Sequence, residues 1–358
     1  MNSLRLHAVG DLRLEQIPTP STKSGEVLVR VSACGVCGSD LPRIFSKGTY
    51  RFPLACGHEF AGIVETVGDG VQRFASGDAV TVFPLIWCNR CPACEAGRFA
   101  QCEDYDYIGS RSDGAFAEYV VAPWRNLMRL PEGVTTEQAA FTEPAAVALH
   151  ALRRAGGVAP GGIVVIFGVG PIGLMQAQFA RTMGAGRVLL FDLVERKLEM
   201  ARQLGFCDVF NPREVNAVGK TMELSAGRGA HVCVEGAGVP ATLLQAVECA
   251  RHNGKVIIMG NPSKDVTVPA SLLSRAMRRE LNISAVWNST YSWTGADNDF
   301  AEVLRSMAAG SLVVDSLVSH RVSLADAPGL LARMNAGVEF FCKVLVTPWN
   351  TPLTARHP

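Results

Sequence analysis

Between residues 156 and 290, short apolar runs alternate with helical stretches, and this alternation constrains the fold of the chain more than any other feature. The runs are Ile163-Val-Val-Ile-Phe167, Val188-Leu-Leu-Phe-Asp192, Asp208-Val-Phe210, His231-Val-Cys-Val-Glu235, Lys255-Val-Ile-Ile-Met259 and Ile283-Ser-Ala-Val286. Strands separated by helices cannot pair as hairpins, so they predict a parallel, doubly wound sheet covered on both faces. The Gly156-Gly157 and Pro160-Gly161-Gly162 clusters mark where this region begins. After about residue 290 the alternation stops. Two amphipathic helices, near 298–309 and 324–336, then precede a closing strand, Lys343-Val-Leu-Val346. The segment from Thr347 to Pro358 reads as a loosely ordered tail.

The first of these strands runs into Gly168-Val-Gly-Pro-Ile-Gly173, which opens a helix, and Asp192 ends the next strand about twenty residues on. In that setting the glycines fit a dinucleotide site. Gly168 permits the tight turn, Gly170 lets the backbone approach a pyrophosphate, and Gly173 lets helix and strand pack closely. Pro171 and Ile172 start the helix whose amides face the phosphates. Asp192 is expected to accept hydrogen bonds from the adenosine ribose. A 2′-phosphate there would meet a like charge at a cost of about 4 kcal/mol. NAD is therefore expected over NADP by on the order of a hundredfold, with Arg196 or Lys197 able to soften the penalty.

The first half of the chain is different in character. Glu26-Val-Leu-Val-Arg-Val-Ser32, Phe60-Ala-Gly-Ile-Val-Glu-Thr-Val67, Asp78-Ala-Val-Thr-Val-Phe83 and Ala115-Phe-Ala-Glu-Tyr-Val-Val121 read as strands, and Thr136 to Arg154 as a helix interrupted at Pro144. Four cysteines, Cys88, Cys91, Cys94 and Cys102, fall in one short run. Two-residue gaps turn successive thiolates onto one ion, and the fourth closes a tetrahedron, the all-sulfur shell of a structural zinc. Cys37, His58 and Glu143 are three well-separated candidates for a second zinc; three protein ligands leave a position open for substrate. The remaining thiols, Cys34, Cys56, Cys207, Cys233, Cys249 and Cys342, read as core fillers.

Composition narrows the function classes. The 358 residues suit two domains, and a net charge of +1 gives no electrostatic case for nucleic acid or an anionic membrane. No apolar stretch reaches membrane-spanning length. The N-terminus lacks a signal peptide's apolar core, and eleven cysteines in such a chain point to reduced thiols and metal ligation. A cytoplasmic protein is the expectation.

The Cys34-Gly-Val-Cys37-Gly-Ser-Asp40 loop, the Gly57-His58-Glu59 loop, the four-cysteine lobe and the late dinucleotide fold come in the order found in zinc-dependent medium-chain alcohol and polyol dehydrogenases. The chain resembles that family over residues 1 to 347. The resemblance implies a GroES-like, β-rich catalytic domain over 1–155, a Rossmann NAD-binding domain over 156–290, and a return to the catalytic domain over 291–358. It implies two zinc ions per subunit. Cys37 and His58 match zinc ligands, Glu143 a residue that binds zinc directly or through water, and Glu59 a glutamate that enters the zinc shell when water or substrate leaves. The four cysteines match the structural site. Ser39 is the candidate for hydrogen-bonding the reacting hydroxyl and passing its proton outward, and Asp40 the group that orients His58. A homodimer or homotetramer built on the edge strand near Ile283 is implied as well.

Ser39-Asp-Leu-Pro-Arg-Ile-Phe45, the segment from Tyr105 to Tyr119, and Trp287-Asn-Ser-Thr-Tyr-Ser-Trp293 resemble the branch that acts on galactitol 1-phosphate. This implies oxidation of galactitol 1-phosphate to tagatose 6-phosphate. Arg43 is the first candidate for the phosphate and Asn288 a further substrate-side residue. One departure stands out: where that branch leads us to expect paired arginines, the chain has Arg111-Ser112. An unphosphorylated polyol or other vicinal diol of the sorbitol, galactitol or threonine type stays open as substrate, as does a catalytically silent relative that serves as a binding protein.

Overall fold

A computed structural model describes residues 1–294, 298–349 and 353. The chain divides into two compact units. One comprises Met1–Pro144, Thr290–Gly310 and the segment from Val314 onward; the other comprises Ala145–Ser289 and Ser311–Val313.

The second unit is built on the predicted sheet. Its strands lie in the order Val209–Phe210, Arg187–Phe191, Ile163–Phe167, Ala230–Glu235, Ala250–Ile258 and Asn282–Ala285, all parallel. Val165, Phe167, Leu189, Phe191, Cys233 and Val256 form its core. Strand order reverses beside Ile163–Phe167, which is where open parallel sheets leave a crevice at their carboxyl ends. Asn282–Ala285 is an edge strand with mostly exposed side chains.

The first unit is mostly antiparallel. Glu26–Gly35 pairs with Glu59–Val67, with Tyr119–Pro123 and, near its end, with the closing strand Lys343–Val346. That closing strand also lies parallel to Val318–Val322. Leu4, Val29, Phe60, Val80, Phe116 and Val344 share one core, so the last strand is as much a part of this unit as the first.

Several boundaries differ from the sequence expectation. The strand expected from Ala115 begins at Tyr119, because the amides of Ala115 and Phe116 bond the carbonyls of Gly57 and Cys56 instead of a ladder. The helix expected to break at Pro144 breaks earlier, between Thr136–Ala139 and Thr142–Arg154. Pro144 then lies in the first turn of the second helix, where a missing N–H costs nothing. The division into two units falls within that helix, at Pro144. Cys207, expected in a core, is exposed in the loop between Glu195–Gln203 and Val209–Phe210, while Cys34, Cys56, Cys233 and Cys249 are buried. Of the expected tail, residues 350–352 and 354–358 lie outside the described residues. No helix among the described residues is long and apolar enough to cross a membrane.

Candidate active site and metal centres

Cys37, His58 and Glu59 each offer a ligand atom, and these atoms all lie within 4.8 Å of one another. The register explains why. Glu26–Gly35 ends just before Cys37, and its Gly35 pairs with Glu59 at the start of the next strand. Gly57, with φ +94°, makes the turn that delivers His58; a Cβ there would strike Phe116 and the Cys34 sulfur. Gly35 is equally constrained, since a Cβ would collide with the Glu59 carboxylate folded over it.

Each donor is held by its neighbours. Ser39 donates to the Cys37 sulfur from its hydroxyl at 3.2 Å and from its amide at 3.5 Å. Asp40 is fully buried; one oxygen accepts the Cys37 amide at 3.0 Å, and the other lies 3.6 Å from His58 Nδ1. With Nδ1 turned to Asp40, Nε2 is the ring atom left for a metal. Burial opposes charging of His58, but Asp40 and Cys37 outweigh it and raise its pKa to about 10 in the metal-free chain. A buried imidazole, a cysteine sulfur and a carboxylate whose donor atoms converge fit a zinc donor set.

Glu143 stands beside this group but outside the three atoms that converge. It is buried, accepts the Tyr107 hydroxyl at 3.2 Å, and burial pushes its pKa up to about 7. Arg43 does not present a free cation. Its Nη1 donates to the buried Asp40 carboxylate at 2.6 Å. Asn288 belongs to the other unit, in a left-handed conformation, and accepts a bond from Ser289.

The sequence reading missed Lys343. Its ammonium, 4% exposed, donates to Glu59 and to the Val36 carbonyl. Burial works against its charge, but Glu59 and Cys37 raise its pKa. Lys343 opens the closing strand, which pairs at Leu345 with Gly35, and Gly35 pairs in turn with Glu59. The available signal was a lysine heading an otherwise apolar strand, where an unpaired charge is seldom buried.

The dinucleotide unit carries a cavity of about 620 Å³ lined by Gly168, Gly170, Pro171, Ile172, Gly173, Asp192 and Lys197, among others. Gly173 packs on the Gly168 carbonyl, so closely that a side chain is excluded. A Cβ at Gly170 would meet open space, the room a close-lying phosphate needs. Helix Pro171–Thr182 starts at this point with Gly170 as its cap. Asp192 accepts the Val169 amide at 2.8 Å and the Val194 amide at 2.9 Å, with Lys197 at 3.6 Å. Arg196 is exposed and not among the lining residues.

The four cysteines are all free thiols whose sulfurs lie within 4.8 Å of one another. Cys88 to Cys94 and Cys91 to Cys102 are each 3.9 Å apart. Zn–S bonds of about 2.3 Å in a tetrahedron place sulfurs about 3.8 Å apart, so the thiols already stand at metal spacing. The Cys88 amide donates to the Cys102 sulfur at 3.2 Å, and amides of Glu103 and Cys94 pull the Cys91 thiol down to about 6.

Two family models match the chain: the alcohol dehydrogenase GroES-like domain over residues 23–132 and the zinc-binding dehydrogenase model over 171–309. Galactitol 1-phosphate 5-dehydrogenase of Escherichia coli is 37% identical over 316 residues, covering 88% of this chain and 90% of that one. The chain belongs to the zinc-dependent medium-chain alcohol and polyol dehydrogenases. Sorbitol dehydrogenase of Bacillus subtilis is 32% identical over 354 residues, 97% of each chain. Among solved structures, galactitol-1-phosphate dehydrogenase from Escherichia coli matches with a TM-score of 0.91 at 34% identity, over 97% of this chain and 100% of that one. A zinc-binding dehydrogenase from Sinorhizobium meliloti bound to NADP matches with a TM-score of 0.88 at 31% identity, over 97% and 99%. This member of the family is thus a dehydrogenase with a GroES-like part and a parallel dinucleotide sheet.

Two predictions follow from the donor groups. Cys102→Ser should remove one of two zinc ions per chain, read by elemental analysis, and lower the melting temperature before it lowers turnover per zinc-loaded molecule. Unchanged zinc content would exclude the four-thiol site. Lys343→Met leaves Glu59 buried without its cation, a loss of about 3 kcal/mol. The zinc-free protein should melt several degrees lower, and added zinc should recover most of that difference because the metal supplies the missing charge. A melting temperature equal to wild type without zinc would show that Glu59 does not depend on Lys343.

Proposed function

We propose that this enzyme oxidises a secondary hydroxyl of a sugar alcohol to a ketone with NAD, and that galactitol 1-phosphate is its substrate. The observation that carries the reading is the buried convergence of Cys37, His58 and Glu59 donor atoms. The 37% identical relative supports the choice of substrate. The sorbitol dehydrogenase match supports an unphosphorylated polyol as the second reading.

Bound zinc supplies Lewis acidity that makes a hydroxyl ionisable near neutrality, and a nicotinamide accepts the hydride. The protein's own groups do the rest. Cys37 and His58 hold the metal side of the site, supported by Ser39 and Asp40. Ser39 Oγ is exposed while bonded to the Cys37 sulfur, so it is positioned to take the substrate's proton and release it to water. Glu59 is a reserve ligand kept in place by Lys343. Glu143, with Tyr107 bonded to it, offers a carboxylate for a neighbouring substrate hydroxyl.

Gly168, Gly170, Gly173 and the start of helix Pro171–Thr182 would take the pyrophosphate. Asp192, on the cavity wall, supports NAD over NADP on charge grounds. A cytoplasmic location suits the reduced thiols of Cys88, Cys91, Cys94 and Cys102. We further infer a homodimer through the edge strand Asn282–Ala285, where Ile283 is exposed, as are Leu273 and Met277 on the helix before it.

Zinc-loaded protein offered galactitol 1-phosphate, galactitol, sorbitol and threonine should reduce NAD fastest with galactitol 1-phosphate, and NAD should outpace NADP by about a hundredfold in kcat/KM. Faster turnover of a plain polyol would replace the substrate, and no turnover of any alcohol would remove the enzymatic reading. Light scattering should give a mass of at least two chains, and Ile283→Asp should halve it; a wild-type mass of one chain would exclude the edge-strand dimer.

A further inference from the structure

If the substrate carries a phosphate, a cation must meet it, and Arg43 is already paired with Asp40. We propose that Arg111, held between the rings of Tyr50 and Tyr105, is the phosphate-recognising group of the substrate site. This rests on the polyol dehydrogenase reading above and names the residue that selects a phosphorylated substrate within it.

The argument begins with charge. Around this loop the arginines are compensated: Arg51 pairs with Asp113 at 3.1 Å, and Arg5 reaches the same carboxylate at 3.9 Å. Arg111 has no carboxylate partner among the described residues. Its guanidinium carbon lies 4.5 Å from the Tyr50 ring centre and 4.1 Å from that of Tyr105, and Nη1 donates to the Tyr105 carbonyl at 2.9 Å. Aromatic rings against a guanidinium hold its plane and leave its remaining N–H edge as the direction in which it can bond. A planar fork fixed in advance loses little entropy on binding, and an edge-on phosphate takes two of its hydrogens.

The second part of the argument is position. Gly109 packs against the zinc-ligand loop: a Cβ on it would lie 3.0 Å from the His58 amide nitrogen and closer still to the Gly57 carbonyl. Arg111 is two residues on, so its backbone lies within about 7 Å of that contact. The rings continue the connection. Tyr105 meets Tyr107 at 6.3 Å, Tyr107 meets His58 at 5.7 Å, and the Tyr107 hydroxyl bonds Glu143. Thr49 Oγ1 donates to the Ser110 carbonyl at 2.6 Å and Arg51 Nε to the Arg111 carbonyl at 3.2 Å, which ties the Tyr50 segment to the Arg111 loop. An uncompensated, oriented cation thus stands on the loop that packs against the metal-ligand turn.

The test compares galactitol 1-phosphate with galactitol on wild type and Arg111→Met, which keeps an unbranched stem between the rings but removes the fork. The ratio of kcat/KM for the phosphorylated over the plain polyol should fall by about 10- to 100-fold, the worth of a charge-assisted hydrogen-bond pair, mostly through KM. An unchanged ratio would overturn the assignment. Calorimetric titration of zinc-loaded protein with galactitol 1-phosphate reads the same contact without turnover, so it decides the role of Arg111 even where no alcohol is oxidised. Weaker binding by a similar factor is expected, and equal affinity would overturn it. Arg111→Lys keeps the charge and loses the planar fork, so it should fall between the two. It serves in place of Arg111→Met should that variant fail to fold, and wild-type affinity in it would overturn the bidentate role.

Discussion

Burying the Glu59 carboxylate requires a cation beside it, and in the metal-free chain Lys343 supplies it. It bonds Glu59 from the head of the last strand, 284 residues away in sequence. An ionised carboxylate without a partner in this position would cost several kcal/mol. The requirement reaches into the topology. To bring Lys343 to Glu59 the chain must leave the parallel sheet, return to the first unit and insert Lys343–Val346 beside Glu26–Gly35. The division of the catalytic unit between the two ends of the chain is therefore linked to charge compensation at its centre.

The two donor groups differ in what each demands of the sequence. The four thiols lie within one short segment, so their spacing alone announces the metal, and the structure adds only that the sulfurs stand at tetrahedral distances. The second group is assembled from the end of one strand, the start of another and the loops between them, and its members are far enough apart that spacing carries little. Cys37 and His58 were legible through the family's loops. Glu59 and Glu143 were both named, but their division into a converging donor and a neighbour depends on strand register, which no local pattern encodes. Lys343 was legible only as a strand residue, because its partner is a long-range one.

The dinucleotide unit was the most legible part, for a physical reason. A fully buried parallel strand must be apolar throughout, so its sequence cannot hide it; Ile163–Phe167 carries the expected bounds. The antiparallel unit allows more exceptions. Ala115 and Phe116 look like strand residues by composition, but their amides serve the Cys56–Gly57 turn. Pro144 looks like a break, yet a first helical turn tolerates it. In both cases the backbone's need for partners, not side-chain pattern, decided the outcome.

Charge compensation also separates arginines that sequence alone cannot rank. Arg43 and Arg111 both lie in segments that resemble the galactitol 1-phosphate branch, and both could serve an anion by residue type. Arg43 is drawn to Asp40, whose other oxygen holds the Cys37 amide and whose first oxygen faces His58. Removing Arg43 would take one partner from that buried carboxylate, whose others are Cys37 and His58, so a change there would disturb the metal ligands whether or not a phosphate was present. Arg111 bears on none of those atoms directly; its contacts are two rings and a carbonyl. Selectivity for a charged substrate can be altered at such a residue without dismantling the metal site. A dehydrogenase family that changes substrates while keeping its zinc ligands needs a separation of this kind.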